Sequence, residues 1–246
     1  LLVNYGKNIS NCLKGNNMTT EFHSMPSVFV MEHDVPEEMV TNLNTYLDKY
    51  LKQKKRKSLA HTLVGQIQHG QQLLMDHADE KIVDFTTMLC GLGAEYVNNF
   101  AQATGAVYDR NKTVAMDELW SVHSYERDYN PIHSHGTKTL MGISATTWTK
   151  VPKQILDLPT SGTPNYSLYN ASGHSDGCLA FSYGRQHVTD IDVLRPPQSF
   201  VLQPRVGKLY LFPSWLQHMV YPFEGKGERR TVAANLNCWE ITEEAA

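Results

Sequence analysis

Long apolar runs are missing from this sequence, and nowhere does one approach the roughly 18 residues that would cross a bilayer as a helix. Clustered cysteines are missing too. Cys12, Cys90, Cys178 and Cys238 are scattered, with no CxxC between them, which excludes a cysteine-based zinc ribbon and a disulfide scaffold. That usage favours a reducing compartment, so the expected location is cytoplasmic. An excess of one charge is also absent. Lys and Arg total 22 against 25 Asp and Glu, a net charge of −3, which leaves no electrostatic footprint for nucleic acid or an anionic membrane. The basic run Lys52–Lys57 (KQKKRK) reads as a solvated helix end. Internal repeats and low-complexity tracts do not occur. What is present, 246 residues of which 41% are hydrophobic and 19% charged, is the make-up of a globule with ample length for a core. Five N-x-S/T sequons, at Asn8, Asn17, Asn111, Asn165 and Asn170, read as chance in an Asn-rich chain. Eleven histidines are the compositional oddity.

Residues 1–25 are polar and aperiodic, with methionines at Met18 and Met25, and are expected to be a poorly structured extension. One domain is expected over 26–246, helical over 34–105 and a jelly-roll core over 107–240. Ser27–Met31 reads as a strand. Asp34 is placed to cap a helix whose first turn holds Pro36, Glu37 and Glu38. Val35, Met39, Leu43, Tyr46, Leu47 and Tyr50 then recur at helical steps. A second, stronger helix is marked by Ile82, Phe85, Leu89, Leu92, Tyr96 and Phe100, with Gly105 near its end. From about Val107 the texture changes to short β-rich runs separated by Gly, Pro, Asn and Ser clusters: LWSVHSY, TLMGISATTWT, CLAFSYG, SFVLQP, KLYLFPS and TVAANLNCW. The longest interruption, 159–177, has the length of a functional loop. The expected fold is therefore mainly β within an α+β chain, with N-terminal helices packed on a sandwich or jelly roll.

His133-Ser-His135 alternates, and in extended backbone both imidazoles share a face. His218 follows 83 residues after His135, just past LYLFPSWLQ. Two ligands from one strand and one from a distant strand can form three corners of a metal site with open positions for substrate and oxygen. Farther on, Glu228–Asn235 reads as a strand on which Arg229, Thr231, Ala233 and Asn235 share one face. Arg229 and Thr231 there are either a carboxylate grip, a guanidinium fork plus a hydroxyl donor, or an ordinary surface pair.

Five pieces follow one another along the chain. They are Trp120-Ser-Val-His-Ser-Tyr-Glu-Arg-Asp-Tyr-Asn-Pro-Ile-His133-Ser-His135-Gly, then Leu140-Met-Gly-Ile, then Gly177-Cys-Leu-Ala-Phe181. The last two are Pro204-Arg-Val-Gly207-Lys-Leu-Tyr-Leu-Phe212-Pro-Ser-Trp-Leu-Gln-His218 and Arg229-x-Thr231. In order and spacing they resemble the iron(II)/2-oxoglutarate-dependent oxygenases, in particular their prolyl-hydroxylase-like bacterial and phage branch. The resemblance covers about residues 118–239 and implies a double-stranded β-helix, cupin-like, with the metal inside one end. It implies His133 and His218 as ligands of Fe(II), and 2-oxoglutarate as co-substrate with its far carboxylate on Arg229 and Thr231. It also implies Tyr125 as a further donor to 2-oxoglutarate, a position a core aromatic would fill equally well. The reaction implied is a hydroxylation coupled to decarboxylation of 2-oxoglutarate to succinate.

One departure is material. The superfamily pattern is His-x-Asp…His, and His135 stands where the aspartate should be, removing an anionic ligand and making the site friendlier to zinc, copper or nickel. His135 is read as the third ligand. The alternative is that it turns away and a water or another carboxylate completes the site. A literal His-x-Asp does exist at His174-Ser-Asp176, but in a Gly/Ser/Asn loop that runs directly into Gly177-Cys-Leu-Ala-Phe. His123 and His187 read as supporting or surface groups, and Asp128 as a turn residue. Two other functions stay open at this point: a three-histidine dioxygenase that does not use 2-oxoglutarate, and a non-catalytic metal- or ligand-binding jelly roll. The substrate expected is a small molecule or a protein side chain, with no nucleic acid and no membrane as partner. The sequence allows a homo-oligomer.

Overall fold

The apolar spacing of Phe85, Leu89, Leu92 and Tyr96 produces helix α2 (Val83–Thr104), and all four side chains are buried. The helix stops where expected. Gly105 takes the left-handed conformation at φ 70°, which a side chain would resist. Helix α1 (Glu37–Tyr50) buries Val40, Leu43 and Leu47 and carries Glu37 and Glu38 in its first turn. Its start differs from the expectation. Pro36 is the capping residue, and Asp34 belongs to strand β1 (Met31–Asp34), where its carboxylate pairs with Lys208 at 2.8 Å. The strand itself lies later than the Ser27–Met31 reading. The reason is tertiary: β1 is held by the strand Lys208–Pro213, and the Val35 amide still donates to the Gly207 carbonyl, so helix geometry cannot begin until that pairing ends. The basic run Lys52–Lys57 is exposed beyond the end of α1.

The structure, a computed structural model, describes residues 28–62, 65, 67, 70–105, 112–136, 138–139, 141–159, 175–183 and 199–240. The expected N-terminal extension, most of the 159–177 loop, His174 and His187 lie outside the described residues. Ten strands are described. After β1 come β2 (Gln71–Leu74), β3 (Lys112–Ser124), β4 (Asn130–His133), β5 (Gly142–Lys150), β6 (Leu179–Ser182) and β7 (Ser199–Leu202). The last three are β8 (Lys208–Pro213), β9 (Gln217–Val220) and β10 (Arg229–Glu240). They form two antiparallel sheets, a six-stranded one in the order β1-β8-β5-β10-β3-β2 and a four-stranded one in the order β4-β9-β6-β7. From β4 to β10 the chain passes back and forth between the sheets, except at β6 and β7, which pair with each other in the small one, the winding of a double-stranded β-helix.

The pleat divides the large sheet into two faces. Leu119, Ile143, Leu209, Leu211, Val232, Ala234 and Leu236 face the helices and build one core with Leu43, Leu47, Phe85 and Leu89. Trp148, Tyr210 and Phe212 face the small sheet and build a second core with Leu179, Phe181 and Leu202. Each of the buried valine, leucine, isoleucine and phenylalanine side chains contributes roughly 1.5–3 kcal/mol. Among the described residues no helix is long and apolar enough to cross a membrane.

Candidate functional site

Between the sheets, beside the second core, a cavity of about 300 Å³ opens, and His133, His135 and His218 all line it. Strand pairing brings the first two partners together. β4 runs antiparallel to β9 with His133 directly opposite His218, and their ring centroids are 4.3 Å apart. His135 lies two residues past the end of β4, where its amide donates to the Ser214 carbonyl at 2.9 Å. Its ring comes to 4.9 Å from that of His218 and 5.3 Å from that of His133. One ring nitrogen from each histidine lies within 4.8 Å of the others.

The second nitrogen of every ring is already occupied. His133 Nδ1 donates to the Pro131 carbonyl at 2.7 Å, and His218 Nδ1 to the Leu216 carbonyl at 3.0 Å. His135 Nδ1 donates to Asn235 Oδ1 at 2.8 Å. These acceptors fix the tautomers and leave Nε2 of each ring as the nitrogen with a free lone pair. At His133 that lone pair accepts the Asn130 amide at 3.2 Å. Burial pushes the pKa of all three down, that of His218 to about 3, so the imidazoles are neutral and ready to ligate near pH 7.

β10 supplies the second half of the site. Arg229, Thr231, Ala233 and Asn235 line the cavity from alternate positions, the shared face read from the sequence. Arg229 is buried. Its Nη1 donates to the carbonyls of Gly177 and Tyr221 at 2.9 and 3.2 Å, and its guanidinium lies 5.7 Å from the Phe223 ring. Burial lowers its pKa to about 10, which still leaves it charged at neutral pH. Its Nε is buried and has no partner, a donor that an incoming anion would satisfy.

Other expected residues stand elsewhere. Tyr125 is not among the cavity-lining residues. It sits past the end of β3 in a turn, donating its amide to Asp128 Oδ2 and accepting the Asp128 amide on its carbonyl. Asp128 is thus the turn residue expected. Asp176 is not part of the histidine cluster. His123 is no surface group. It is buried on the helix side of β3, donating Nδ1 to Glu228 at 2.6 Å and bonding Ser121 through Nε2 at 3.0 Å.

Three contributions were not foreseen. β3 gives the cavity Glu118, Trp120, Val122 and Ser124, and the chain between α1 and α2 gives Leu59, Thr62, Ile67 and Gln72. That connection is pressed against β4: a Cβ at Gly65 would lie 2.2 Å from the Tyr129 carbonyl oxygen. The third is the polar group around His135, formed by Asn235, Ser144 and Ser214. Only Asn235 left a trace in the sequence, as the last position of the Arg229 face.

The profile of the family described as "Putative 2OG-Fe(II) oxygenase" matches residues 118–235, the span that holds every one of these histidines and Arg229. No curated protein matches the chain in sequence. Among solved structures it is similar to a prolyl-4-hydroxylase from Pseudomonas putida, at 12% identity over 85% of this chain and 91% of that one, with a TM-score of 0.51. It is also similar to SnoK, the non-heme alpha ketoglutarate dependent carbocyclase from nogalamycin biosynthesis. The identity there is 10% over 87% of this chain and 83% of that one, with a TM-score of 0.52. At such identities the likeness is one of fold.

Proposed function

We propose, from the match of residues 118–235 to the 2OG-Fe(II) oxygenase family and from the site they build, that the chain is an iron(II)- and 2-oxoglutarate-dependent hydroxylase acting on a small molecule or a protein side chain. In this reading His133, His135 and His218 hold the metal, and Arg229 with Thr231 seats the far carboxylate of 2-oxoglutarate. The observation that carries it is the convergence of three ring nitrogens within 4.8 Å in a cavity that also holds a buried guanidinium with an unpartnered N–H. The donor set fits. Three neutral imidazoles suit iron(II), with nickel, copper and zinc as competitors. The orphaned Nε of Arg229 suits a carboxylate.

When bound, iron(II) and 2-oxoglutarate would supply, with oxygen, the oxidising power, at the expense of decarboxylating 2-oxoglutarate to succinate. The chain's own residues do the rest. Pro131, Leu216 and Asn235 orient the three rings through their Nδ1 atoms. Arg229 neutralises a carboxylate in a place too buried for water to screen it. Trp120, Val122, Leu59 and Ile67 give the cavity apolar walls that keep bulk water from the reacting centre. A three-histidine enzyme that did without 2-oxoglutarate would leave the buried Nε of Arg229 without an acceptor.

The test is an anaerobic titration of metal-free protein with iron(II) and then 2-oxoglutarate, following the visible charge-transfer band that forms when the keto acid chelates the metal. A saturable band, lost in His133→Ala, is expected. One bound iron without a band would overturn the reading in favour of a dioxygenase or a binding module.

A further inference from the structure

A histidine in the place of a ligating aspartate brings a difficulty that the aspartate does not. A buried carboxylate offers oxygens alone, whereas a buried imidazole that ligates through one nitrogen carries an N–H on the other, and that N–H needs an acceptor. His135 finds it on a different strand, 100 residues away: Asn235 Oδ1 takes the Nδ1 proton at 2.8 Å. Being an amide oxygen, it can only accept, so the proton belongs to Nδ1 and the lone pair to Nε2. The acceptor is itself held. Ser144 Oγ donates to the same Oδ1 at 3.0 Å, lies 3.0 Å from His135 Nδ1 itself and 3.2 Å from Ser214 Oγ, while the Ser214 carbonyl accepts the His135 amide. Asn235 is 7% exposed, and Ser144 is fully buried. The β10–β3 ladder shifts register immediately after Asn235, which stands opposite Glu118 while Leu236 stands opposite Met116. Such irregularities re-aim side chains beside functional sites.

We propose that Asn235 is a positioning residue for the metal centre: by accepting the His135 Nδ1–H, braced by Ser144 and Ser214, it turns His135 Nε2 toward His133 and His218 and makes the His-x-His pair a working two-ligand unit. The proposal rests on the three-histidine reading above, and it accounts for how a histidine functions at a position built for a carboxylate. Its signature is dependence: Asn235 acts on the metal only through His135.

Cobalt(II), added alone to the full chain, reads this out by affinity and by its ligand-field absorption bands, with no turnover required. Asn235→Ala is expected to weaken cobalt binding on the order of 10–100-fold and to give bands matching those of His135→Ala. In the His135→Ala background, removing Asn235 is expected to cost no further affinity, which closes the double-mutant cycle. Asn235→Asp, which keeps an acceptor oxygen in place, is expected to bind at least as tightly as the natural chain. An equal loss from Asn235→Ala in both backgrounds would overturn the proposal, as would weak binding by Asn235→Asp. If Asn235→Ala does not fold, Asn235→Leu, close in size but without an acceptor, replaces it in the same cycle. Failure of the natural chain to bind cobalt, or binding unaffected by His133→Ala and His218→Ala together, would instead strike the three-histidine reading itself.

Discussion

Arg229 reads differently in sequence and in space. In sequence it is the first residue of an Arg-x-Thr pair, either a grip or a surface arginine. In the fold it is buried, charged, and satisfied on Nη1 but not on Nε. Arg229→Ala should therefore leave metal affinity intact and weaken 2-oxoglutarate by roughly 10–100-fold, the loss of one or two charge-assisted hydrogen bonds. Separate titrations with cobalt(II) and then 2-oxoglutarate would show whether the two affinities part in this way. The histidines were legible because their ligating pattern is local, two residues apart, and because the block ending in His218 has its own spacing. Asn235 was legible only as a position on the Arg229 face, and Ser144 not at all. What makes them matter is a hydrogen bond across strands far apart in the chain, and no local pattern encodes it. Tyr125 illustrates the opposite limit. It is adjacent to the cavity in sequence, yet Ser124 lines the cavity and Tyr125 enters the turn held by Asp128.

Elements were legible in proportion to the regularity of their burial. α2 has an apolar residue at nearly every third or fourth position and was recognisable to within about a residue. The long strands β3, β5 and β10 were visible as β-rich runs. The strands β2 (QQLL), β4 (NPIH) and β9 (QHMV) were not, because each mixes polar residues or proline into four positions, whereas the equally short β6 (LAFS) and β7 (SFVL) are mostly apolar. Asp34 was mistaken for a cap because a strand partner 174 residues away overrides the local signal. The join between elements carries its own ionic signature. Glu228, at the start of β10, accepts from His123 of β3 and, through both oxygens, from Arg230. Arg230 in turn reaches Asn44 and Asp48 of α1. Burial alone would raise the Glu228 carboxyl, but the bonds from His123 and Arg230 outweigh it and hold the pKa at about 2, against 4.5 in the unfolded chain. Because the folded value is the lower one, the stabilisation is complete above pH 4.5 and is lost as pH falls toward 2. Glu228→Gln should lower stability at neutral pH and flatten its decline on acidification through that window. Thermal unfolding followed from pH 5 downward would show a curve parallel to that of the natural chain if the clamp does not behave this way.

At the scale of the whole molecule, the order of textures along the chain, helices before strands, foretold two layers. The partition of strands between two sheets needed the structure, since β6 and β8 have similar compositions and different sheets. The large sheet is a wall with different tasks on its two faces. Phe85, 2% exposed, packs on the helix side, away from the histidines. Phe85→Ala should cost about 3–5 kcal/mol of stability. At about 2–4 °C per kcal/mol for a chain of this size, the melting temperature should fall by roughly 6–20 °C. Cobalt affinity of the folded protein should stay unchanged. A loss of affinity matching the loss of stability would mean that the two faces are not independent.

The cavity wall formed by Leu59, Thr62, Ile67 and Gln72 comes from the connection between the two helices, whereas the histidines and Arg229 come from the jelly-roll strands. Selection can therefore act on these two stretches of the gene separately. Insertions and replacements between the helices would vary which molecules are admitted, under the restraint that the backbone at Gly65 still lies flush against β4. The oxidising apparatus would be inherited unaltered.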